Sequence, residues 1–449
     1  MRSFGELLPE VRVPPPGPRS KRLSEELARV ESPAVSTISA GHIPIFWRYA
    51  AGANILDADG NRYIDLTAGF GVAAVGHSNP KVLNAMQAQA SRLLHGLGDV
   101  HPNEPRASLA LRLTELFPGG SAKAIISNTG AESVELALKT ATLHTGRYGF
   151  VAFEGGFHGQ TYGALQVTSA PSFREPFLPQ LHRGVAHAPY PYCYRCPIGL
   201  EYPSCGVACL DKVDRLLDGY PAAVIVEPVL GRGGEVVPPP DFLPRLKSIC
   251  ASHGVLLIVD EMFTGFGRTG EWFAVDHWRV APDLMCVGKA LAGGFPLSAC
   301  MGKAEVMDAW RHNSHDAPHS STFMGHPMGC AAAFAAIGEI EAKGLVQRAR
   351  EMGVVLGDRL KRLKDKYPIV GDVRNLGLMA GIELVRDRDS KEPATEETRR
   401  VVDSALRRGV ILTKGGAYGN VLSISPPLVI TEEQLCFALD ILDEALAAI

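Results

Sequence analysis

The sequence predicts an α/β protein with a mostly parallel central sheet in a large domain and a smaller α+β domain. Through the middle of the chain, short apolar runs bounded by turn residues alternate with helical patterns, as expected when helices connect parallel strands. After Thr322 the pattern changes to long helices, then short strands and a final helix, which indicates a second, smaller unit. A chain of 449 residues is also long enough for more than one domain.

Four segments are predicted in order: an N-terminal arm (1–35), the N-terminal part of the small domain (36–75), the large domain (76–325) and the C-terminal small domain (326–449). The arm is charged and rich in proline, with a helix around Ser24–Val30, and we expect it to pack on another subunit. Residues 46–66 predict two short strands around an Asp-Gly turn at Asp59 and Gly60.

Apolar periodicity predicts the elements of the two domains. In the large domain, strands are predicted at 122–128, 149–155, 222–228, 256–261, 284–290 and 297–302, with helices at 131–144 and 242–254. In the C-terminal domain, helices are predicted at 327–343, 345–366 and 432–448, with strands at 377–384, 410–415 and 421–426.

Composition excludes several classes of protein. Apolar residues make up 46% and charged residues 21%, which excludes disorder of the whole chain. A net charge of −3 gives no electrostatic sign of nucleic acid or an anionic membrane as a partner. No apolar stretch reaches the roughly 18 residues of a membrane-spanning helix, and the N-terminus lacks the apolar segment of a signal peptide. With nine cysteines, we expect reduced thiols and a cytoplasmic protein.

Small residues between a strand and a helix form a candidate anion site. A strand ends at Asn128, and a helix opens at Gly130 and Ala131 with Glu132 in its first turn. Exposed N–H groups at a helix N-terminus attract an anion such as a phosphate when no bulky side chain covers them. Many strand-to-helix turns share this pattern, so it does not by itself separate a binding site from an ordinary connection.

Two ionisable residues lie at the ends of apolar strands. Asp260 is at the carboxyl edge of the predicted sheet, where α/β proteins place their sites, and Lys289 has small neighbours that allow its desolvation. Taken singly, a loop-capping carboxylate and a lysine reaching solvent would explain them. Together with the anion site they match the needs of pyridoxal phosphate. A lysine holds its aldehyde as a Schiff base, an aspartate keeps the pyridine nitrogen protonated, and a helix terminus binds the phosphate.

Eight motifs in a fixed order extend this match: GHSNP (76–80), NTGAES (128–133), FHGQT (157–161), EPV (227–229), DEMFTGFGRTG (260–270), GKALAGGFP (288–296), STFMGHP (321–327) and SPPLVIT (425–431). With them the chain, from about residue 35 to its end, resembles the class III aminotransferases, the fold-type-I pyridoxal phosphate group that includes ω-amino acid, ornithine and 4-aminobutyrate transaminases. The resemblance implies transfer of an amino group from an amine or amino acid donor to a keto acid or aldehyde. It also implies that Lys289 forms the Schiff base and moves the proton, with a pyridoxamine phosphate intermediate.

The resemblance implies a role for each motif residue. Lys289 and Asp260 would be catalytic, with Asp260 pairing with the pyridine nitrogen. The other cofactor contacts would come from Gly130 and Ala131 to the phosphate, Phe157 and Met262 on the two ring faces, His158 beside Phe157, Glu227 as a supporting carboxylate, and Thr322. Because Thr322 would bind the phosphate of the neighbouring subunit, an obligate homodimer is implied, with a tetramer left open.

Three departures from the family pattern concern the substrate. Met262 is followed by Phe263 where the family often has a Gln that contacts the ring oxygen. The Arg that binds the α-carboxylate in ornithine- and 4-aminobutyrate-type members is Ser423 here, and their gating Glu is Arg232. We hypothesise that Arg232 binds the substrate carboxylate, since a guanidinium suits bidentate recognition. The alternative is that Arg232 faces solvent and the donor is a simple amine. Phe70 and Ser423 are further substrate-binding candidates.

Four cysteines follow the pattern C-x₂-C-x₈-C-x₃-C: Cys193, Cys196, Cys205 and Cys209. This spacing could hold zinc, but it lacks histidine and is asymmetric, so we expect no metal and reduced or partly paired thiols in an ordered loop.

Three other functions keep the same motifs. An amino-acid racemase or epimerase would return the proton from the opposite face, and a decarboxylating aminotransferase would release carbon dioxide. A non-catalytic cofactor-binding protein is disfavoured because Lys289 and Asp260 are both present.

Overall fold

The computed structural model describes residues 3–33, 42–310 and 317–449. Its strands within these ranges are β1 (Trp47–Ala51), β2 (Asn54–Asp57), β3 (Arg62–Asp65), β4 (Ala122–Ser127), β5 (Phe150–Phe153), β6 (Val185–Ala188), β7 (Ala223–Val226), β8 (Leu256–Asp260), β9 (Leu284–Val287), β10 (Ser298–Lys303), β11 (Val370–Leu376), β12 (Met379–Leu384), β13 (Val410–Ile411), β14 (Thr413–Gly415) and β15 (Val421–Ile424). Its helices are α1 (Pro18–Val30), α2 (Ala68–Gly71), α3 (Pro80–Arg92), α4 (Glu104–Leu116), α5 (Gly130–Thr145), α6 (Tyr162–Val167), α7 (Pro171–Arg174), α8 (Leu210–Leu217), α9 (Phe242–Ser252), α10 (Ala304–Met307), α11 (Pro327–Ala342), α12 (Leu345–Lys366), α13 (Thr395–Arg407) and α14 (Glu432–Ala447).

The central sheet has seven strands in the order β4-β10-β9-β8-β7-β5-β6. Only β10 runs against the others, antiparallel to both β4 and β9, so the prediction of a mostly parallel sheet in an α/β fold is confirmed. Strands β5, β7 and β9 are buried along their whole length, which explains their continuous apolar runs. Strand β6 (VAHA) was missed because its sequence is short and only half apolar.

The topology brings three connections to one edge of this sheet. Strand β8 ends at Asp260 and its neighbour β9 ends two residues before Lys289. Strand β4 points the same way as β9, since both run antiparallel to β10, and it leads directly into α5 at Gly130. Thr129 caps α5 by accepting a hydrogen bond from the N–H of Glu132. The carboxyl ends of these strands therefore place the three candidate motifs together.

Two four-stranded sheets lie outside the central sheet. One has the order β1-β2-β3-β13, with β3 and β13 parallel, and the other is the antiparallel sheet β11-β12-β15-β14. Because β13 pairs with β3, an N-terminal and a C-terminal segment of the chain share one sheet. The domain boundaries themselves stay a prediction.

Three local differences from the sequence prediction have physical causes. Residues 46–66 form three strands, because a first turn lies at Gly52 with a φ of +57°. Strand β11 (VGDVRNL) was not predicted, since its polar residues break the apolar pattern. The predicted strand 410–415 is divided into β13 and β14, which belong to different sheets.

The described part of the N-terminal arm packs on its own chain. Asn61 Oδ1 accepts hydrogen bonds from the N–H groups of Arg12 (2.8 Å) and Val13 (2.9 Å), and Asp59 accepts from Ser20. Contact of the arm with another subunit stays a prediction, and residues 1, 2, 34 and 35 of the arm lie outside the described ranges. Among the described helices, none has both the length and the apolar character needed to cross a bilayer.

Candidate active site

A cavity of about 440 Å³ opens at the carboxyl edge of the central sheet. Its size suits a small molecule. The sequence-predicted residues that line it are Gly130, Ala131, Phe157, His158, Glu227, Arg232, Asp260, Met262 and Lys289. Strand order alone explains this convergence, since these residues lie in loops that leave the same edge of the sheet.

Asp260 and His158 form a buried pair at the base of the cavity. Nδ1 of His158 lies 2.7 Å from Oδ2 of Asp260, and Oδ1 of Asp260 accepts a hydrogen bond from the N–H of Met262 at 3.0 Å. Burial lowers the pKa of His158, but its hydrogen bond to Asp260 and the carboxylates of Asp260 and Glu227 outweigh this and raise it. The pair therefore holds the carboxylate of Asp260 in a fixed position at the base of the cavity.

Lys289 extends into the cavity without a carboxylate partner among the described residues. Its Nζ lies 4.1 Å from the centroid of the Phe263 ring. Burial lowers the pKa of Lys289, while the charges of Glu227 and Asp260 act in the opposite direction. The φ of Lys289 is +43°, an unusual value for a residue with a side chain, and such strained backbones concentrate at functional sites. A lysine with a lowered pKa has a larger fraction of neutral amine to act as nucleophile or base.

The first turn of α5 leaves two donors available to the cavity. The side chain of Thr129 binds the N–H of Glu132, and the N–H groups of Gly130 and Ala131 have no acceptor among the described residues. A Cβ on Gly130 would lie 3.1 Å from Sδ of Met262, and one on Gly288 would lie 2.3 Å from the same atom. Glycine at both positions therefore leaves room for Met262 beside the N-terminus of α5. The N–H groups of Gly130 and Ala131 stay uncovered.

Glu227 supports the cavity wall through the backbone. Its Oε1 accepts from the N–H of Phe157 at 2.9 Å and its Oε2 from the N–H of Gly231 at 3.0 Å. Burial raises the pKa of Glu227, and the charge of His158 acts against it. The carboxylate thus joins the loop that carries Phe157 to the loop that carries Arg232.

Arg232 has no carboxylate partner in the described part of the chain. Its guanidinium carbon lies 5.4 Å from the centroid of the Phe157 ring and 4.8 Å from that of the Phe173 ring. These two aromatic rings hold the side chain while leaving its N–H groups without an anion. Arg232 is therefore an exposed positive charge at the rim of the cavity.

Ser423 and Phe70 do not line the cavity of the single chain. Ser423 is buried, and its hydroxyl donates to Oε2 of Glu235 at 3.0 Å. Phe70 is 68% exposed and has a φ of +63°. Sequence reasoning did not identify Glu235, although an acidic residue beside the apolar run of GGEVVPPP could have indicated a buried carboxylate.

Glu235 predicts a pH dependence of stability. Burial raises the pKa of Glu235 from 4.5 to about 8, so between these values the folded state holds a proton that the unfolded state releases. The free energy of unfolding from this group therefore falls as pH rises from about 4.5 to about 8, on the order of a few kcal/mol in total. We expect Glu235→Gln to raise the apparent Tm relative to wild type at pH 9 more than at pH 5, as judged by thermal denaturation. The control is exposed Glu25→Gln, and an equal shift at both pH values would contradict the prediction.

Thr322 is exposed and lies outside the cavity lining. Its neighbour Ser321 accepts a hydrogen bond from the side-chain amide of Asn128, which does line the cavity, at 3.2 Å. The segment that carries Thr322 is therefore close to the cavity of its own chain. Binding of the cofactor phosphate of a neighbouring subunit by Thr322 stays a prediction.

The four clustered cysteines are free thiols, of which Cys209 is buried. Burial raises the pKa of Cys209 to about 11, which favours the protonated thiol. Across residues 3–33, 42–310 and 317–449, no group of His, Cys, Asp or Glu is arranged to hold a metal ion. The structure thus adds no support to the zinc alternative.

The residues present fit pyridoxal phosphate. Two uncovered backbone N–H groups match a phosphate, an unpaired lysine matches an aldehyde, and the buried carboxylate of Asp260 matches a protonated ring nitrogen. Nε2 of His158 is buried and has no hydrogen-bond partner in the described part of the chain, which adds an unsatisfied polar atom at the same wall. The contact to the ring oxygen that Gln makes in the family has no evident replacement in Met262 or Phe263.

Comparison with known proteins identifies the family. The family model for class-III aminotransferases matches residues 35–446. The chain is 38% identical to a leucine/methionine racemase of Thermococcus litoralis, with 96% of each chain covered, and 38% identical to a probable 4-aminobutyrate aminotransferase of Bacillus subtilis, covering 88% of this chain and 92% of the relative. The solved structure of an amine transaminase from an uncultivated Pseudomonas species, in its PLP-bound form, superposes with a TM-score of 0.86 at 32% identity, covering 92% of this chain and 97% of that one.

The family match, the fold and the chemistry of the cavity all indicate a pyridoxal phosphate enzyme. The chain belongs to the class-III aminotransferase family and is a fold-type-I aminotransferase whose cofactor is pyridoxal 5'-phosphate.

Proposed function

We propose that this aminotransferase moves the amino group of a carboxylate-bearing amine or amino acid to a keto acid or aldehyde. The observation that carries this proposal is the convergence of one partner-free lysine, one buried Asp-His pair and one unpaired arginine on a single cavity. When bound, pyridoxal phosphate supplies an aldehyde and a ring that withdraws electrons from the substrate carbon. The protein residues supply the proton transfers, the charge and the binding of the substrate.

Lys289 is the proposed proton carrier. Burial lowers the pKa of its amine, and this effect outweighs the charges of Glu227 and Asp260, neither of which forms an ion pair with it. A neutral amine can take a proton from the substrate carbon and return it to another atom nearby. The Phe263 ring, 4.1 Å from Nζ, limits where this amine can move.

Asp260 is proposed to stabilise a positive charge on the cofactor ring, and His158 to orient Asp260. The 2.7 Å contact between His158 and Asp260 holds the carboxylate in place within the buried wall. Gly130 and Ala131 would bind the phosphate through their N–H groups, with Phe157 and Met262 on the two ring faces. Glu227 would hold the backbone of Phe157 in position by accepting the hydrogen bond from its N–H.

Arg232 is the proposed site for the substrate carboxylate. Its guanidinium packs against two aromatic rings and presents its N–H groups without competition from a carboxylate of the described residues. The solvent-facing alternative, with a simple amine as donor, remains the competing interpretation.

Arg232→Ala distinguishes these two interpretations. We expect kcat/KM for carboxylate-bearing donors to fall by about tenfold to a hundredfold, the effect of losing a charge-assisted hydrogen bond, and that for alkylamines to stay the same. Steady-state kinetics with matched donors measure this. Arg245→Ala, at an exposed position on α9, is the control, and unchanged kinetics with every carboxylate-bearing donor would remove Arg232 from substrate binding.

An isomerase is the second candidate function. The racemase of Thermococcus litoralis covers 96% of this chain at 38% identity, and it supports a reaction in which the proton returns to the carbon it left. Lys289 and Asp260 would serve that reaction equally well, so the residues of the cavity do not separate the two.

A single-donor experiment separates the candidates. Holoenzyme is incubated with one L-amino acid and no acceptor, and products are measured by chiral chromatography. An aminotransferase releases one equivalent of keto acid per site and then stops. Accumulation of the D-enantiomer beyond one equivalent would favour the isomerase, and released carbon dioxide would favour a decarboxylating aminotransferase.

A homodimer is proposed as the working assembly. Leu94, Leu97, Val100 and Phe323 are exposed apolar side chains, and the Phe323 ring lies 5.4 Å from that of His95, which places the two segments side by side. Contiguous apolar surface of this kind is typical of protein interfaces. A strained and exposed Phe70 also suits a residue that reaches into a partner's site. A tetramer and a cytoplasmic location stay predictions.

Mixed dimers test whether Thr322 acts in the neighbouring subunit. We expect Thr322→Ala to weaken cofactor binding by about tenfold, the cost of one hydrogen bond to a charged group. In a mixed dimer with a Lys289→Ala subunit, the Thr322→Ala site would receive an intact Thr322 from its partner, so its cofactor affinity and activity should recover. Cofactor titration of tagged mixed dimers measures this, and no recovery would place Thr322 in the site of its own chain.

A further inference from the structure

We propose that a second cavity, adjoining the active-site cavity at Arg232, binds a long substrate tail that ends in a carboxylate. This inference rests on the proposed function and adds a substrate class, the long-chain ω-amino carboxylates. The second cavity has a volume of about 640 Å³ and shares Phe157 and Arg232 with the first. A substrate held at Lys289 would therefore pass Arg232 on its way into the second cavity.

Arg232 lies at the junction of the two cavities. Its guanidinium lies against the rings of both Phe157 and Phe173, and no carboxylate of the described residues neutralises it. A positive charge at the junction favours an anionic group on either side of it. A short substrate would place its carboxylate at Arg232, whereas a longer substrate would place its carboxylate beyond Arg232, in the second cavity.

Arg195 provides a second cationic group at the wall of the second cavity. Its Nε contacts Oε1 of Glu383 at 2.5 Å, while its Nη2 is buried and has no hydrogen-bond partner among the described residues. A buried donor without an acceptor is costly, and a ligand carboxylate entering the cavity is the acceptor that this donor lacks. The guanidinium also lies 5.4 Å from the centroid of the Tyr418 ring, which lines the same cavity.

The two carboxylates that line the second cavity already have cationic partners. Glu383 contacts both Arg195 and Arg374, and Arg374 also contacts Asp372 at 2.9 Å. The charged side chains that line the cavity are Arg195, Arg232, Glu154 and Glu383, so its formal charges balance. Glu154, another acid in the cavity wall, is exposed and lies 3.9 Å from Lys212. Nη2 of Arg195 and the guanidinium of Arg232 are therefore the charged groups of this lining that lack an acceptor among the described residues, and they favour a ligand carboxylate.

The wall between the two arginines is largely apolar and aromatic. Phe173, Tyr190, Leu230 and Val421 line it. Methylene groups bury favourably against such a surface, so a straight aliphatic chain is the expected middle of the ligand. A carboxylate at its far end then meets Arg195.

A homologous series of donors tests the inference. Holoenzyme is assayed with straight-chain ω-amino acids from 4-aminobutyrate to 12-aminododecanoate, and with alkylamines of the same lengths. We expect kcat/KM to rise with chain length for the carboxylates more steeply than for the alkylamines. Arg195→Met should lower kcat/KM for the long carboxylates by about tenfold to a hundredfold, and leave short donors and alkylamines unchanged.

Two further variants and a binding measurement keep the inference testable if Arg195→Met folds poorly. Ala417→Phe fills the exposed mouth of the second cavity and should discriminate against long donors without removing any charge. Arg245→Met changes an exposed arginine on α9 that lines neither cavity, and it should change nothing. A long, unreactive dicarboxylate, dodecanedioate, is titrated by calorimetry into each holoenzyme and should bind wild type more tightly than Arg195→Met.

The outcomes separate this inference from the proposed function. If short donors react but chain length and both cavity variants have no effect, the inference is overturned and the function stands. If no donor reacts but dodecanedioate binding depends on Arg195, the proposed function fails and the pocket stands. If no donor reacts and dodecanedioate does not bind, both are overturned.

Discussion

Lys289→Ala is expected to lower kcat/KM for amino transfer by more than about a thousandfold, because one side chain supplies both the nucleophilic amine and the proton transfer. The cavity gives the reason: Nζ of Lys289 has no carboxylate partner among the described residues, and burial lowers the pKa of its amine. The residues proposed to hold the cofactor phosphate and ring remain in this variant. We therefore expect cofactor still to bind, without the covalent link, as measured by dialysis and cofactor quantification.

A chemical rescue separates the proposed role of Lys289 from a structural one. Added methylamine should restore part of the activity of Lys289→Ala by replacing the missing amine, and it should not affect wild type. Lys81→Ala, at an exposed position on α3, is the matched control. Activity of Lys289→Ala within about tenfold of wild type, without rescue, would show that another group moves the proton.

Asp260→Asn is expected to lower kcat by more than a hundredfold. The substitution keeps the shape of the side chain but removes the negative charge that faces the cavity and His158. A hundredfold fall in rate corresponds to about 2.7 kcal/mol of lost transition-state stabilisation, the size expected when a preorganised buried group aimed at the reacting ring is removed. The pKa of His158 should also fall, because its hydrogen bond to Asp260 and the charges of Asp260 and Glu227 are what raise it.

Glu261→Gln is the matched control for Asp260→Asn. Glu261 is the next residue and is also buried, but it accepts hydrogen bonds from Thr264 and from the N–H groups of Ala274 and Val275, and it does not line the cavity. We expect this variant to lose stability and keep its kcat within a few-fold. Steady-state kinetics measure kcat, thermal denaturation measures stability, and NMR of labelled histidine measures the pKa of His158. If both variants lose the same activity in proportion to stability, Asp260 has only a structural role.

The central sheet and the catalytic edge could be predicted from the sequence because the relevant signals are local. Asp260 and Lys289 each follow an apolar run of strand length, and parallel strands end at one edge whatever their exact order. The anion site at Gly130 is equally local, since a strand leads directly into a helix with small residues at its start. Resemblance to the family then gave each of these residues a role.

The substrate side of the site depends on contacts between distant segments. Phe173 holds Arg232 although the two are far apart in the sequence, and no periodicity brings them together. The same is true of Ser423 and Glu235, since burial of Glu235 depends on how its loop packs against β12 and β15. Sequence reasoning therefore found Arg232 as a departure from the family pattern but did not find Phe173, Glu235 or Arg195.

The most direct test of the central claim follows the amino nitrogen itself. Holoenzyme is given a ¹⁵N-labelled amino donor and an unlabelled keto acid, and the products are analysed by mass spectrometry. Amino transfer predicts that ¹⁵N appears in the amino acid formed from the keto acid, in amounts equal to the keto product of the donor. Recovery of all ¹⁵N in the original donor, with its chirality lost, would contradict the account and establish an isomerase.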